Sequence, residues 1–447
     1  MDKYRLRKLI LFMMGAASTV ILAASFAWVW IEYYGYVNTH NKLFVFRGHL
    51  LMIGIYAFFI YVFFKLYDGY KFGIQTRTNV VYSQTVALAI VNTLTYFLIS
   101  LIYGRLQNPV PMILLTGIDV SCVVLWTILF DAIYFHIYPP RKMIIVYDGE
   151  DANLLIKKMY TRKEKYQICA SVKADVPFEN ICESIKPYDA IIICDVKPEM
   201  RNRLIQHCFD SSIRAYVTAD IADILIRGAD NIIINDTPLL LCKSRGLNLE
   251  QRIVKRTIDL VISILGIVIT SPIMLITAIA IKLFDRGPVL FKQVRTTRGG
   301  KDFKIWKFRS MIVNAEKESG AVLASVNDSR ITPIGKIIRR YRIDELPQLF
   351  NILLGDMSVV GPRPERPEII ADYIKEMPEF KYRLKVKAGL TGYAQVLGKY
   401  NTTPKDKLKM DMIYIENYSA LMDIKLIFMT LKIMFVKEST EGVDEEK

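Results

Sequence analysis

An adjacent pair of carboxylates, Asp344 and Glu345, stands among arginines in the C-terminal half of this chain. Arg339 and Arg342 precede the pair and Arg363 follows it, within RRYRIDELPQLFNILLGDMSVVGPRP. Carboxylates hold Mg²⁺ or attack phosphorus, and guanidinium groups neutralise the charge on phosphate oxygens. The pattern therefore predicts a phosphoryl-transfer site.

A purely structural interpretation of the same residues stays open. IDELPQLFNILL is typical of a helix start, where Asp344 would cap the helix and Pro347 is tolerated in the first turn. The two interpretations are compatible, because a helix N-terminus also favours phosphate. Arg363 lies between Pro362 and Pro364, which fix its backbone direction, but GPRP could equally be a rigid loop.

The C-terminal half offers carboxylate, hydroxyl and lysine groups for catalysis. None of the four histidines lies beyond His207, and no cysteine lies beyond Cys242. Histidine-based triads and cysteine nucleophiles are therefore excluded from a C-terminal catalytic domain. Lys307 and Arg309 alternate with apolar neighbours in KFRSM, as on a half-exposed strand, and a solvated face explains them equally well.

The composition indicates a basic membrane protein. The 447 residues leave room for two or three domains, and a hydrophobic content of 52% is high for a soluble protein. The net charge of +15 suits anionic lipid headgroups, phosphate substrates or nucleic acid. Nucleic acid is not an expected partner, because the chain has no signature of a nucleic-acid-binding module.

Four apolar runs occupy the first 140 residues, a predicted four-helix transmembrane domain. Their approximate bounds are Leu9–Trp30, Gly48–Phe64, Val80–Tyr103 and Pro111–Tyr138. Cationic groups at 3–8, 65–77 and 141–142 lie between or beside them. The positive-inside rule places all three groups in the cytoplasm, so the loops near 38–42 and 104–108 are expected to face outward.

Residues 141–247 are expected to form a Rossmann-like α/β domain. The β-like segments Met143–Tyr147, Tyr166–Val172, Ala190–Val196 and Ile213–Thr218 alternate with helical patterns such as Glu199–Cys208. This alternation is typical of a doubly wound parallel sheet. The turn after the first strand has one glycine surrounded by acids, so we expect no bound dinucleotide.

The third predicted domain, 248–437, opens with an uncharged run from Leu260 to Ile281. These 22 positions would reach about 33 Å as a helix, so hydropathy alone favours a fifth transmembrane helix. The pair Ser271-Pro272 lies mid-run, and both ends are cationic. We therefore favour a re-entrant membrane helix that breaks at this pair. Residues 438–447 are expected to be a disordered acidic tail.

The C-terminal domain resembles the bacterial sugar transferase family, the monotopic polyprenyl-phosphate hexose-1-phosphate transferases. The matching pieces, in family order, are KRTID, FKQVR, KFRSM, DSRITPIGKIIRR, IDELPQLFNILLGDMSVVGPRP, KVKAGLTGYAQVLGKY and DMIYIENYSALMDIKLI. The upstream parts resemble those of the large family members, which begin exopolysaccharide, capsule or O-antigen repeat units. The resemblance implies transfer of a hexose 1-phosphate from a UDP-sugar to polyprenyl (undecaprenyl) phosphate, with Mg²⁺ and release of UMP.

The resemblance also implies roles for single residues. Asp344 matches the family's nucleophile, which forms a covalent phosphosugar intermediate, and Glu345 matches its partner carboxylate on the metal. The phosphate- or substrate-binding positions are Lys307, Arg339, Arg363 and, near the nucleotide, Gln395, while Ser271 and Pro272 match the break in the re-entrant helix. Thr297, Ala388 and Arg342 depart from the usual glycine, proline and serine.

The expected fold is therefore a membrane protein of α plus α/β class, with a four-helix transmembrane bundle, a Rossmann-like domain and a mainly helical catalytic domain. The resemblance places it in the bacterial cytoplasmic membrane with the catalytic domain facing the cytoplasm. Its partners would be a UDP-sugar, polyprenyl phosphate and the lipid bilayer, and a homodimer is one compatible assembly. The alternative is a membrane-bound nucleotide or polysaccharide-system sensor with an inert transferase domain.

Overall fold

A computed structural model describes residues 3–35, 46–242, 246–313, 328, 330–398 and 402–433. The chain divides into two compact units, 1–218 and 219–447. The predicted outward loop near 38–42 and the predicted acidic tail at 438–447 lie outside the described residues. The second unit begins upstream of the predicted boundary at 247/248, and the three-domain division of the sequence stays a prediction.

Four long apolar helices begin the first unit: α1 (Lys3–Val29), α2 (Phe46–Leu66), α3 (Arg77–Ile102) and α4 (Val110–Ile137). A π-helical turn, Trp30–Tyr34, extends α1. The Thr76 side chain caps α3 by accepting from the Asn79 amide. Helix α1 packs against α2 and α4, and α3 packs against the same two helices. Each helix is long and apolar enough to cross a membrane.

A four-stranded parallel sheet follows in the same unit. Its elements are β1 (Arg141–Tyr147), α5 (Asp151–Tyr160), β2 (Tyr166–Lys173), α6 (Phe178–Ile185), β3 (Ala190–Cys194), α7 (Pro198–Asp210) and β4 (Arg214–Val217). The strand order is β2-β1-β3-β4, and every pairing is parallel. The central strands β1 and β3 are buried, which accounts for their continuous apolar runs. The parallel α/β arrangement predicted from the sequence is confirmed.

The second unit starts with α8 (Ile221–Arg227) and a hairpin of β5 (Asp230–Ile234) and β6 (Thr237–Leu241). A long helix, α9 (Leu249–Asp285), leads to a second hairpin, β7 (Leu290–Thr296) and β8 (Asp302–Phe308). Gly299 and Gly300 form its turn with φ of 71° and 76°, a left-handed backbone that glycine adopts without strain.

The rest of the second unit is mainly helical. Its elements are α10 (Pro333–Arg340), α11 (Gln348–Leu354), β9 (Ser358–Val360), α12 (Pro367–Glu376), β10 (Gly389–Thr391), α13 (Tyr393–Leu397), α14 (Pro404–Glu416) and α15 (Ala420–Ile433). Strands β9 and β10 pair in parallel. One buried apolar cluster joins α8, α11, α14 and α15 around this pair. Helix α15 packs on this core through Leu426 and Met429.

Helix α9 is also long and apolar enough to cross a membrane. It continues through Ser271 and Pro272, so the break predicted at this pair is not an interruption of the helix. Proline lacks the amide that would donate to the carbonyl four residues earlier, at Val268. The Ser271 hydroxyl donates to that carbonyl instead, at 2.9 Å. Helical secondary structure therefore continues across the pair, as it does across a proline kink.

Candidate active site

Three segments of the second unit bring the predicted site residues together. Strand β8 carries Lys307, a 3₁₀ turn at Ile343–Glu345 carries both acids, and the loop after β9 carries Arg363. The turn lies between α10 and α11, whose ends are close in sequence. The three segments are far apart in sequence, and their convergence depends on the packing of the unit.

Glu345 is the centre of a cationic cluster. Its Oε1 lies 3.5 Å from Lys307 Nζ and 3.4 Å from Arg363 Nη2, and its Oε2 lies 3.9 Å from Arg342 Nη1. The Glu345 side chain is only 14% exposed. These distances exceed the roughly 2.7–2.9 Å of a tight charge-assisted hydrogen bond. The three cations therefore compensate the charge of Glu345 without the short contacts of a closed ion pair.

Asp344 is held differently from its neighbour. Among the described residues, its carboxylate has no ion-pair or hydrogen-bond partner. Helix α11 begins at Gln348 with Pro347 at its N-cap position. The interpretation of Asp344 as a helix cap is therefore wrong, since the acid lies in the preceding turn and caps nothing.

The surroundings raise the pKa of one carboxyl group of the pair and lower the pKa of the other. Burial, reinforced by the Glu345 charge, raises the pKa of Asp344 to about 6. Burial also acts against the charged form of Glu345, but Lys307, Arg363 and Arg342 outweigh it and lower its pKa to about 2. Two neighbouring acids with separated pKa values are typical of sites that assign them different chemical tasks.

The cations respond to the same surroundings. Burial lowers the pKa of Lys307, and the Glu345 charge opposes that shift. The Glu345 carboxylate raises the pKa of Arg363, so this guanidinium stays charged. Arg363 is also 46% exposed, which leaves part of its fork open to a ligand. The cluster can therefore receive phosphate oxygens without first breaking a closed ion pair.

Arg342, one of the arginines that flank the acids in sequence and a departure from the family's usual serine, is also a member of this cluster. It adopts φ 54° and ψ 23°, a left-handed conformation that is uncommon for residues other than glycine. This reverses the chain just before the acid pair and turns the Arg342 guanidinium back toward Glu345. In the sequence, the excess of positive charge beside the acids is the feature that indicates a role for Arg342 in the site.

The KRTID motif anchors the segment that carries the acids. Arg256 donates to the Ile352 and Leu353 carbonyls at the end of α11, at 2.7 and 2.8 Å. Asp259 is buried and accepts from the Ser358 hydroxyl and the Val359 amide, at 2.9 and 2.8 Å. Helix α9 therefore holds the end of α11 and the start of β9, which both lie between the acid turn and the GPRP loop.

Two buried ion pairs link the late DMIYIENYSALMDIKLI segment to this framework. Arg383 pairs with Asp411 at 2.9 Å and donates to the Arg363 carbonyl at 3.0 Å. Lys255 pairs with Asp423 at 2.7 Å, and neither side chain is more than 7% exposed. Lys255, Asp411 and Asp423 lie in motifs that match the family, whereas Arg383 lies outside them, and the sequence predicted no role in the site for any of the four. The Arg383 contact positions the backbone of Arg363.

The remaining predicted site residues lie at varied positions. Arg339 lies in the last turn of α10 and is near enough for its charge to act against the raised pKa of Asp344, with no direct ion pair among the described residues. Gln395 lies on α13 and donates to the Leu390 carbonyl at 3.2 Å, which connects it to β10 and not to the acids. Ser271 and Pro272 line an apolar cavity together with Pro347.

The acid pair fits a magnesium ion in donor type. Within the described part of the chain, no group of three or more His, Cys, Asp or Glu side chains is placed to hold a metal. Mg²⁺ commonly takes one or two carboxylates and completes its shell with waters and substrate phosphates. Asp344 and Glu345 supply that number, and the long contacts to Glu345 do not occupy its oxygens fully.

Comparison with known proteins identifies the class. The bacterial sugar transferase family matches residues 250–437, which include every catalytic residue predicted above. An exopolysaccharide production protein of Rhizobium leguminosarum bv. phaseoli is 40% identical over 198 residues, or 42% of this chain and 97% of that protein. The chain therefore belongs to the bacterial sugar transferase family.

Two further relatives carry more specific names. A UDP-N-acetylgalactosamine-undecaprenyl-phosphate N-acetylgalactosaminephosphotransferase of Aeromonas hydrophila is 44% identical over 182 residues, 40% of this chain and 43% of the relative. A UDP-glucose:undecaprenyl-phosphate glucose-1-phosphate transferase of Klebsiella pneumoniae is 39% identical over 211 residues, 46% of this chain and 45% of the relative. The matches to these two span less than half of either relative.

Proposed function

We propose that the protein transfers a hexose 1-phosphate from a UDP-sugar to polyprenyl (undecaprenyl) phosphate and releases UMP. The observation that carries this proposal is the asymmetry of the acid pair. Glu345 is surrounded by three cations, whereas Asp344 has no partner among the described residues. A carboxylate without a partner, beside a cationic cluster, has the arrangement required for attack on a phosphate.

The proposed reaction has two steps. An Asp344 oxygen forms a bond to the sugar-linked phosphorus, the bond from that phosphorus to UMP breaks, and UMP leaves. An oxygen of polyprenyl phosphate then attacks the same phosphorus, and the bond to Asp344 breaks. The product is a polyprenyl diphosphate sugar, and Asp344 is restored. Two steps avoid bringing two anionic substrates together directly at an interface of low dielectric constant.

Lys307, Arg363 and Arg339 have supporting roles in this scheme. Lys307 and Arg363 converge on Glu345 and would stabilise the negative charge that develops on the phosphate oxygens in the transition state. Arg339 lies near Asp344 and would favour its ionised form. We propose that Glu345 holds Mg²⁺, which supplies neutralisation of the diphosphate when it is bound. Gln395 remains a proposed nucleotide contact.

An apolar cavity of about 930 Å³ offers room for the lipid chain. It is lined by Pro272 of α9, by Trp306 and Phe308 on either side of Lys307, and by Pro347. Trp306 and Phe308 adjoin Lys307 in sequence, and Pro347 follows Glu345 by two residues. A polyprenyl chain in this cavity would have its phosphate close to the acid turn, which supports a lipid phosphate as acceptor.

The contacts of α9 support a re-entrant helix over a fifth transmembrane crossing. Lys255 near its start pairs with Asp423, and Asp285 at its end pairs with Arg309. All four residues belong to the second unit. A helix that crossed the bilayer would place its two ends, and the partners that they pair with, on opposite sides of the membrane. We infer that α9 enters and leaves on the cytoplasmic face of a bacterial inner membrane, which α1 to α4 cross.

The covalent step is tested without the lipid acceptor. The purified protein is incubated with a UDP-sugar that carries ³²P in the sugar-linked phosphate. We expect one label per protein chain, attached covalently, and a burst of UMP that matches the protein concentration. Asp344→Asn should remove both signals, and the exposed control Asp372→Asn should retain them. A normal overall rate without label or burst would contradict the covalent step but not the transfer.

The donor is tested with polyprenyl phosphate present. UDP-glucose and UDP-N-acetylgalactosamine are the first donors to compare, because relatives named for both sugars match this chain. We expect UMP as the nucleotide product. Release of UDP would contradict the proposed reaction, and absence of turnover with every UDP-sugar would favour the inert sensor.

The re-entrant topology is tested with single cysteines near Lys255 and near Arg286, in a background without the native cysteines. In intact cells, both positions should be protected from an impermeant thiol reagent added outside. Labelling of the second position alone would indicate a complete crossing. A cysteine in the loop near 104–108 is the positive control, since the same topology exposes that loop outside.

A further inference from the structure

A second concentration of positive charge lines a cavity that the proposed reaction does not use. The cavity has a volume of about 340 Å³, and the acid among its described lining residues is Asp259. Its cationic lining residues are Arg252, Lys255, Arg256, Arg298, Lys385 and Lys387. They come from the start of α9, from the turn of the β7–β8 hairpin, and from the segment before β10. Six cations from three chain segments thus share one concave surface.

Three of these cations have structural partners, and for two of them the partners are carbonyl oxygens. Lys255 is neutralised by Asp423 at 2.7 Å. Arg256 donates to two carbonyls at the end of α11, and Lys387 donates to the Gly355 carbonyl at 2.6 Å. Carbonyl oxygens orient a cation but carry no full negative charge. Burial, and then the charges of Arg256 and Arg298, lower the pKa of Lys387, as expected where like charges are crowded.

The other three cations have no carboxylate partner among the described residues. They are Arg252, Arg298 and Lys385. Arg252 and Arg298 are exposed, and Lys385 is half-buried with its ammonium 5.4 Å from the centre of the Tyr382 ring. None of the three contacts the acid pair. Their side chains are available to a ligand and can be changed without altering the proposed catalytic residues.

The place of this cavity in the fold indicates the ligand. Arg252, Arg256 and Asp259 lie on one face of the first turns of α9, and the uncharged run begins at the next residue, Leu260. We propose that the cavity binds a phosphate group of an anionic ligand, chiefly the headgroup of an anionic phospholipid at the membrane surface. That the ligand is a lipid rests on the proposed membrane placement of α9. That the cavity binds a phosphate group does not depend on this placement. A soluble phosphate is the other source.

The test compares two variants that each remove three positive charges. The cavity variant is Arg252→Gln, Arg298→Gln, Lys385→Gln. The control variant is Arg227→Gln, Lys381→Gln, Lys407→Gln, three exposed cations of the same unit outside the cavity. Full-length proteins are placed in nanodiscs of phosphatidylcholine with or without phosphatidylglycerol, and retained lipid is counted by native mass spectrometry. Inorganic phosphate is titrated by calorimetry in the phosphatidylcholine discs.

We expect the cavity variant to retain phosphatidylglycerol at least tenfold less than the control variant, given about fivefold for each cation near an anionic lipid. A charge-conserving variant, Arg252→Lys, Arg298→Lys, Lys385→Arg, should bind like the wild type. Loss of inorganic phosphate binding alone would assign the site to a soluble ligand. Equal binding of both probes by cavity and control variants would overturn the proposal. Neither probe requires a UDP-sugar, so failure here is distinct from failure of the proposed transfer.

Discussion

The first unit buries the carboxylate of Asp119, the second partly buries the acid pair Asp344 and Glu345, and the two sites hold their carboxylates in opposite ways. Asp119 of α4 is fully buried and accepts from Ser25 of α1 at 2.6 Å and from Asn92 of α3 at 3.3 Å. The Tyr56 hydroxyl of α2 lies 3.0 Å from the same carboxylate. All four apolar helices thus meet at one acid through neutral groups, and within the described residues no cation pairs with it.

The acid pair of the second unit has charge compensation but few hydrogen bonds. Three cations surround Glu345 at 3.4–3.9 Å, and Asp344 has no partner in the described part of the chain. A satisfied buried polar network rigidifies a structure, whereas an unsatisfied group beside charges is available for a ligand. Burial alone therefore does not identify a reactive carboxylate. The number of its hydrogen-bond partners and the charge of its neighbours do.

The largest expected effect is a difference in transfer rate between variants of Asp344 and of Asp119. Asp344→Asn should abolish transfer, since an amide is a poor nucleophile, and the loss should be several orders of magnitude in kcat. Asp119→Asn keeps the shape of its side chain and should retain the rate of correctly folded protein. The measurement is UMP release per folded protein. Equal losses in the two variants would contradict the distinction.

Asp344→Asn should also stabilise the protein. Its pKa is raised from 3.8 to about 6, so ionised Asp344 destabilises the folded state, with the full effect present above pH 6. The variant should therefore have a higher Tm than the wild type at pH 7 and the same Tm near pH 4. A lower Tm at pH 7 would mean that Asp344 is structural.

Glu345→Gln should have the opposite effect on stability. Its pKa is lowered from 4.5 to about 2, so ionised Glu345 stabilises the fold above pH 4.5, and that contribution is lost as the pH falls toward 2. The variant leaves Lys307, Arg342 and Arg363 without their common counter-charge. We expect a lower Tm at pH 7 and a higher Mg²⁺ requirement for transfer, compared with the exposed control Glu368→Gln. An unchanged Mg²⁺ requirement would remove Glu345 as a metal ligand.

The pH dependence of the first step sharpens the assignment further. Because the nucleophile must be ionised, UMP burst rates should rise about tenfold per pH unit below pH 6 and level off above it. Added Mg²⁺ should shift the midpoint to lower pH if it binds beside Asp344, since a nearby cation favours the ionised carboxyl group. A midpoint near pH 4 at low Mg²⁺ would contradict the raised pKa.

The sequence predicted local features well and long-range contacts poorly. The parallel strands and the acid–arginine cluster were predicted, because strand periodicity and charge are visible within short windows. The pairing of Lys255 with Asp423 joins residues 168 positions apart, and no local pattern encodes it. The left-handed turn at Arg342 was also missed, since non-glycine residues rarely adopt it. Helical secondary structure continues across Ser271-Pro272, where a serine hydroxyl supplies the donor that proline lacks, and the re-entrant break at this pair stays a prediction.

The smallest expected effect tests whether the Asp119 network is structural. Tyr56→Phe removes the hydroxyl that lies 2.7 Å from Asn92 and 3.0 Å from Asp119, without changing the apolar packing of α2. Hydrogen bonds between membrane helices contribute about 0.6 kcal/mol on average and at most about 1.7 kcal/mol, because the separated helices also find partners. We therefore expect a small decrease in Tm and an unchanged transfer rate, with the exposed Tyr61→Phe as the matched control. A loss of transfer in Tyr56→Phe but not in the control would mean that the apolar helices participate in the reaction. The contrast between a structural Asp119 and a reactive acid pair would then no longer hold.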